Sequence, residues 1–212
     1  MARIFLGAAG TAALLCLCTA TPTASQPSWR YRAPEPSAPS QPGGARRPVE
    51  MAPGVLTEIN FVRTHPAAYA EQLRRERPTA ATEEAIAVLE RREPAPALRF
   101  SPDLGASAAA HALDQDEHDS FEHAGSDGSS AGERMRRRGV YAGLMAEAMS
   151  AGEATAGDVV RQLIVDEGVP ARGHRKDLLD PFLRLAGVGC APHPTYRVIC
   201  VIDLASNPPP RD

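Results

Sequence analysis

RLAGVGCAPHPTYRVICVIDL (residues 184–204) reads as two strands joined by a turn. Apolar and β-branched runs at about residues 184–190 and 196–204 flank APHPT, whose two prolines and polar residues favour a reversal. Antiparallel pairing across that turn brings Cys190 and Cys200 together, and closing so short a loop stabilises by about 3 kcal/mol in the chain-entropy model. Two buried free thiols and a cysteine-pair metal site are the alternatives. The only other strand signal is weaker, over residues 141–149.

Upstream, the pattern is helical. Val55, Leu56, Ile59 and Val62 fall at helical spacing, His65 before Pro66 ends or kinks that helix, and Pro66 starts a second one through Leu73. After a break at Pro78, Thr82 is the expected cap of a helix over residues 83–91 with Ile86 and Leu89 inward. Ser101, Pro102 and Asp103 are a cap, a first-turn proline and an acid at the positive dipole end, starting a helix to about Asp119. Ser130 with Glu133 makes a capping box for a short arginine-rich helix ending at Gly139. Thr155 with Asp158 repeats the pattern for a helix through Glu167, stopped by Gly168 and Pro170, and a last helix runs over residues 174–179. Many helices and a small antiparallel sheet make the class α+β.

The ends read differently. Residues 1–24 have a basic start at Arg3, an alanine-rich apolar run and small residues at Ala20 and Ala24, which is the pattern of a secretory signal peptide. A permanent anchor is the competing reading, but the run is short and alanine-diluted for a span, so the mature chain is expected to have no stable membrane span. Residues 25–54 are rich in Pro, Ser and Gly without apolar period and read as a flexible linker; the folded domain is placed at residues 55–206 and a tail at 207–212. A formal charge of −3 argues against nucleic acid as a partner. An even cysteine pair in an exported chain points to a disulfide, hence to a secreted or periplasmic protein.

Residues able to do chemistry lie in three glycine-punctuated places: FEHAGSDGSSAGER (121–134), AEAMSAGE (146–153) and VDEGVPARGHRKDLLDP (165–181). His123 sits at a loop edge, while Glu167 ends one helix and His174 begins the next, so two imidazoles and two carboxylates facing one cleft would suit a divalent metal or proton transfer. His118 reads as part of a solvated helix end, His111 as an ordinary helix residue and His193 as a turn residue. The serines of the glycine-rich loop are not set in a nucleophile elbow. The arginine run at 134–138 reads as a solvated helix face, with Arg134 as the member able to turn inward.

These segments, with NFVRTHPAAYAEQL (60–73) and the closing GVGC and YRVICVIDLA, resemble the superfamily of cysteine-rich secretory, antigen 5 and pathogenesis-related 1 (CAP) proteins in its bacterial SCP-like form. The resemblance spans roughly residues 55–206. It implies a three-layer α-β-α sandwich with a small central antiparallel sheet. It also implies a central cavity formed by His123, Glu147, Glu167 and His174, with His123 and His174 as the metal ligands and Zn2+ as the candidate cofactor. Ala146 and Ala148 replace the Gly and Asn that flank the acid in relatives, and Ile164 stands where many carry Trp.

Two function classes follow. The first is a secreted, non-enzymatic binding module for a small-molecule, lipid or cell-envelope ligand; the alternative is a metal-dependent hydrolase using the same cavity, with no catalytic residue assigned. A third class, a wall-attached interaction protein, would use the linker and outer surface. The linker reading makes one prediction: limited proteolysis removes the chain before about residue 55 and leaves a core that still unfolds cooperatively, whereas loss of the thermal transition would refute that boundary.

Overall fold

The computed structural model describes residues 50–76 and 79–207. The leader, most of the linker, the break at Pro78 and the tail beyond Asn207 lie outside the described residues. Seven helices and four strands are present among them: α1 (Ala52–Thr64), α2 (Pro66–Arg74), α3 (Ala80–Glu90), β1 (Arg99–Phe100), α4 (Pro102–Glu117), α5 (Ala131–Arg137), β2 (Met145–Ala151), α6 (Ala156–Val165), α7 (Gly173–Leu179), β3 (Leu183–His193) and β4 (Arg197–Ser206).

The decisive hairpin forms as the sequence indicates, and longer at both ends. β3 and β4 pair antiparallel with Cys190 directly opposite Cys200, and the two are joined as a disulfide with Cα atoms 4.1 Å apart. β2 adds antiparallel to β4, placing Glu147 opposite Asp203. β1 is a two-residue parallel edge beside β3, too short to leave a periodic signal, and the sheet order is β1-β3-β4-β2.

Alternation along the strands builds three layers. One sheet face, with Ala148, Val188, Cys190, Cys200, Ile202 and Leu204, packs against α1, α2, α3, α6 and α7. The opposite face meets α4 and α5 through two smaller clusters: Ala108 and Ala112 against Ile199 and Val201, and Leu104 and Met135 against Ala205. The expected α-β-α sandwich is therefore present.

Local starts mostly follow the side-chain code. Ser101 Oγ accepts from the Leu104 N–H, the Ser130–Glu133 capping box is complete, and Thr155 Oγ1 accepts from the Asp158 N–H. Helix α3 differs: its cap is Thr79, whose hydroxyl accepts from the Thr82 N–H, because Thr82 is fully buried and belongs to the first turn. Helix α6 ends at Val165, two residues before the expected end, where Asp166 turns left-handed at φ 55°.

Arg63 joins the layers from inside. Its buried guanidinium donates to the carbonyls of Pro96, Leu178, Asp180 and Leu183, tying α1 to the end of α7 and the start of β3. Burial lowers its pKa to about 10, so it stays charged at neutral pH, with four hydrogen bonds to backbone carbonyls.

Helix α4 lies directly on the backbone of β3. A Cβ at Gly187 would sit 1.9 Å from the Gly105 nitrogen, and one at Gly189 would sit 2.2 Å from the Ala109 nitrogen. Both obstacles are helix backbone, which cannot swing aside. Gly187→Ala is expected to lower unfolding free energy by about 3 kcal/mol or more in denaturant titration; a change near zero would mean that the helix rides higher on the sheet.

Candidate functional site

The side of α4 facing the sheet carries a polar row among its alanines. Ser107, His111 and Gln115 recur every four residues, and all three are buried. His111 Nε2 lies 3.0 Å from the Glu122 carbonyl, Gln115 Oε1 accepts from the Glu122 N–H, and Gln115 Nε2 donates to the Ala124 carbonyl. These bonds pin residues 122–124 and hold His123 at the edge of β2.

There His123 Nδ1 meets Glu147 Oε1 at 2.8 Å. The other carboxylate oxygen of Glu147 accepts from Arg134, which turns inward and also donates to the Ser129 carbonyl. Glu147 has a side chain only 2% exposed, against 59% for His123. Burial alone would raise its pKa, but the His123 hydrogen bond and the Arg134 charge outweigh it and hold Glu147 below the usual carboxylate range.

Across the strand pair, Asp203 is completely buried. Burial first, and the charge of Glu147 second, push its carboxyl up to about 8. At neutral pH the two facing acids therefore keep one charge, on Glu147, and one proton, on Asp203.

The second half of the site forms at the α6–α7 turn. His174 Nδ1 lies 2.8 Å from Asp166 Oδ1, and Asp166 Oδ2 accepts from the Arg175 N–H. Arg175 is buried and donates to the Ile164 and Val165 carbonyls, which fixes the turn that presents His174. Glu167, assigned to the cavity in the sequence, is exposed; the acid bonded to His174 is its neighbour Asp166. The reason is the early helix end, since the left-handed residue at 166 rotates the next side chain outward. Asp tolerates this conformation well, which was a legible signal.

His123 and Glu147 line an open cleft of about 370 Å³ together with Gly132, Met135, Met145 and Ala146. His174 and Asp166 do not line it. Half-buried Asp177 connects the pairs electrostatically: burial raises its pKa, while the charges of His174 and, more weakly, His123 oppose the rise.

The remaining sequence assignments divide. His118 is exposed beside Asp114, as a solvated helix end should be. His193 is buried with Nε2 on the Ser120 carbonyl, and His111 is a keystone of the loop; neither role has a local signature. Ser126 and Ser130 are committed to Asp114 and Glu133.

The arrangement does not fit a resident zinc ion. Among the described residues no three His, Cys, Asp or Glu side chains converge so as to hold a metal. Each imidazole spends Nδ1 on a carboxylate, leaving one ring nitrogen apiece, fewer than the three protein ligands of a catalytic zinc.

Residues 56–204 match the profile of the Cysteine-rich secretory protein (CAP) family, over most of the chain and nearly all of the folded part. The chain belongs to this family. No curated protein matches the sequence closely enough to serve as a relative. Among solved structures, the CAP domain is similar to an extracellular SCP-domain protein of Bacillus anthracis, at 19% identity over 78% of this chain with a TM-score of 0.48. It is also similar to an outer surface protein of Borrelia burgdorferi, at 12% identity, covering 77% of this chain and all (100%) of that one, with a TM-score of 0.49. A cysteine-rich secretory protein of Staphylococcus aureus has 14% identity over 79% of this chain and a TM-score of 0.44. This chain spans 45% of the Bacillus protein and 43% of the Staphylococcus protein.

The Asp203–Glu147 pair generates a pH prediction. Unfolded Asp203 ionises near its ordinary 3.8 whereas the folded carboxyl holds its proton to about 8, so rising pH favours unfolding across that window. Asp203→Asn keeps the shape and removes the titration. Its stability relative to wild type should improve from acid to mildly alkaline pH, by several kcal/mol in denaturant titrations; parallel pH curves for the two proteins would refute the shared proton.

Proposed function

We propose that this chain is a non-enzymatic, extracytoplasmic binding module: a CAP domain at residues 55–206, carried on the 25–54 linker after a secretory leader, that takes a polar cell-envelope ligand. The observation that carries the reading is the pairing of each imidazole with a buried carboxylate through Nδ1. That bond fixes ring orientation and leaves Nε2 as a preorganised hydrogen-bonding edge, which favours recognition because little rotamer freedom remains to be lost on binding. The cleft beside His123 offers apolar walls from Met135 and Met145 and polar ends, the usual make-up of a ligand site.

The disulfide supports an oxidising compartment. Among the described residues no helix is long and apolar enough to cross a membrane. The metal-dependent hydrolase alternative has less support, because among the described residues no three metal-ligating side chains converge, and the hydroxyls of Ser126 and Ser130 are committed to Asp114 and Glu133.

The test is co-sedimentation of the exported chain with purified cell-envelope fragments. Replacing both His123 and His174 by Ala should weaken retention at least about tenfold, as expected for two lost hydrogen bonds, and chelator should leave wild-type retention unchanged. Retention by the double variant, or hydrolytic activity that chelation abolishes and zinc restores, would overturn the reading.

A further inference from the structure

Four of the five large apolar side chains that stand exposed among the described residues gather at one end of the sheet: Phe100, Tyr141, Leu144 and Phe182. That end is where β2 and β3 begin and β4 finishes, since Leu183 pairs with Ser206 and Met145 with Ala205. Phe182 and Leu144 immediately precede β3 and β2. Phe100 lies on the β1 edge, with its ring over Gly105 at the start of α4. Val140 and Ala142 pack onto the cluster of Leu104, Met135 and Ala205, so Tyr141 between them is turned outward. Neighbouring strands are about 4.8 Å apart, which spreads the four along a front about 15 Å wide. Single exposed apolar side chains are ordinary, but a group of this size marks an interaction surface.

The rings protrude. Phe100, Tyr141 and Phe182 are 62%, 67% and 75% exposed, so they rise from the surface rather than line a groove. Their supports are fixed. Phe100 is held in the ladder with β3, the Phe182 N–H donates to Asp180 Oδ1, and Leu144 donates to the Ser206 hydroxyl while accepting from the Ser206 N–H. Protruding rings on a fixed backbone have little freedom to lose when they enter a deformable apolar phase, whereas a folded partner would have to offer a matching pocket for each.

The same end is basic. Arg99 lies beside Phe100, Arg184 follows Phe182 by two residues, and Arg138 opens the connector that leads to Tyr141. Among the described residues none of the three is paired with a carboxylate, and Arg99 donates only to the Asn207 side chain. The acids closest along the chain to Phe100 and Phe182 are engaged: Asp103 sits in the first turn of α4, where the helix dipole answers it, and Asp180 accepts from the Phe182 N–H. The whole chain carries −3, so the positive charge here is a local feature. Aromatic rings interleaved with unpaired cations suit the boundary of an anionic bilayer, rings at the acyl edge and guanidinium groups at the phosphates.

We propose that this end of the sandwich is a docking surface for an anionic phospholipid bilayer. Phe100, Tyr141, Leu144 and Phe182 enter the interface, and Arg99, Arg138 and Arg184 meet the headgroups. The inference goes beyond the envelope-ligand reading and uses neither of the histidines on which that reading depends.

The test mixes the exported chain with vesicles of phosphatidylglycerol and phosphatidylcholine in equal amounts, and with vesicles of phosphatidylcholine alone, and reads the bound fraction by sedimentation. Binding to the anionic vesicles should be at least about tenfold stronger, and added salt should release the protein. The pair Tyr141→Ser and Phe182→Ser should weaken binding about tenfold or more, and the pair Arg99→Gln and Arg138→Gln about tenfold on anionic vesicles. All four positions are exposed, so both double variants should keep the wild-type thermal transition. The His123→Ala and His174→Ala double variant should bind vesicles like the wild type, because pure lipid holds no other envelope component. Equal binding to the two kinds of vesicle, no binding to either, or wild-type binding by either surface variant would overturn the proposal. So would a lipid-free dimer in analytical ultracentrifugation that Tyr141→Ser and Phe182→Ser disperse, since the face would then belong to a second copy of the chain.

Discussion

The absence of side chains at Gly187 and Gly189 lets α4 rest on the backbone of β3, and the site is built on that contact. A helix held a methyl group further out could not press Ser107, His111 and Gln115 against the polar part of the sheet. Those residues in turn hold the loop that carries His123 to Glu147. The alanines of the same helix serve the same end, because small side chains are what close approach permits.

Close approach also sets the electrostatics. Strand pairing puts two carboxyl groups opposite each other under a helix that excludes water, and a buried charge is tolerable only when paired and hydrogen-bonded. Glu147 has Arg134 and His123 and keeps its charge; Asp203 has no cation of its own and keeps a proton. Arg63 and Arg175 solve the same problem differently, spending their donors on backbone carbonyls at helix ends. Each converts a liability of burial into a fixed turn, and the turn held by Arg175 presents His174.

Much of this was legible one element at a time. Caps at Ser101, Ser130 and Thr155 act within three residues, so they can be read without knowing what packs above them. The hairpin and its disulfide follow from two short apolar runs and a turn. Legibility failed where burial made the choice: Thr82 looks as good a cap as Thr79 until it lies in the core, and Glu167 looks as good a ligand as Asp166 until the helix stops two residues short.

The sequence by itself determined the class, the layers and the cysteine pair, and it named three residues of the candidate site, His123, Glu147 and His174, because periodicity, capping chemistry and family motifs are local in the chain. Only the tertiary structure decided what those residues touch. Asp203, Arg134 and His111 reach Glu147's surroundings from β4, α5 and α4, across sequence separations that no spacing rule spans. The protonation of Asp203 and, among the described residues, the lack of a third metal ligand are likewise consequences of desolvation and distance, which exist only once the layers have closed.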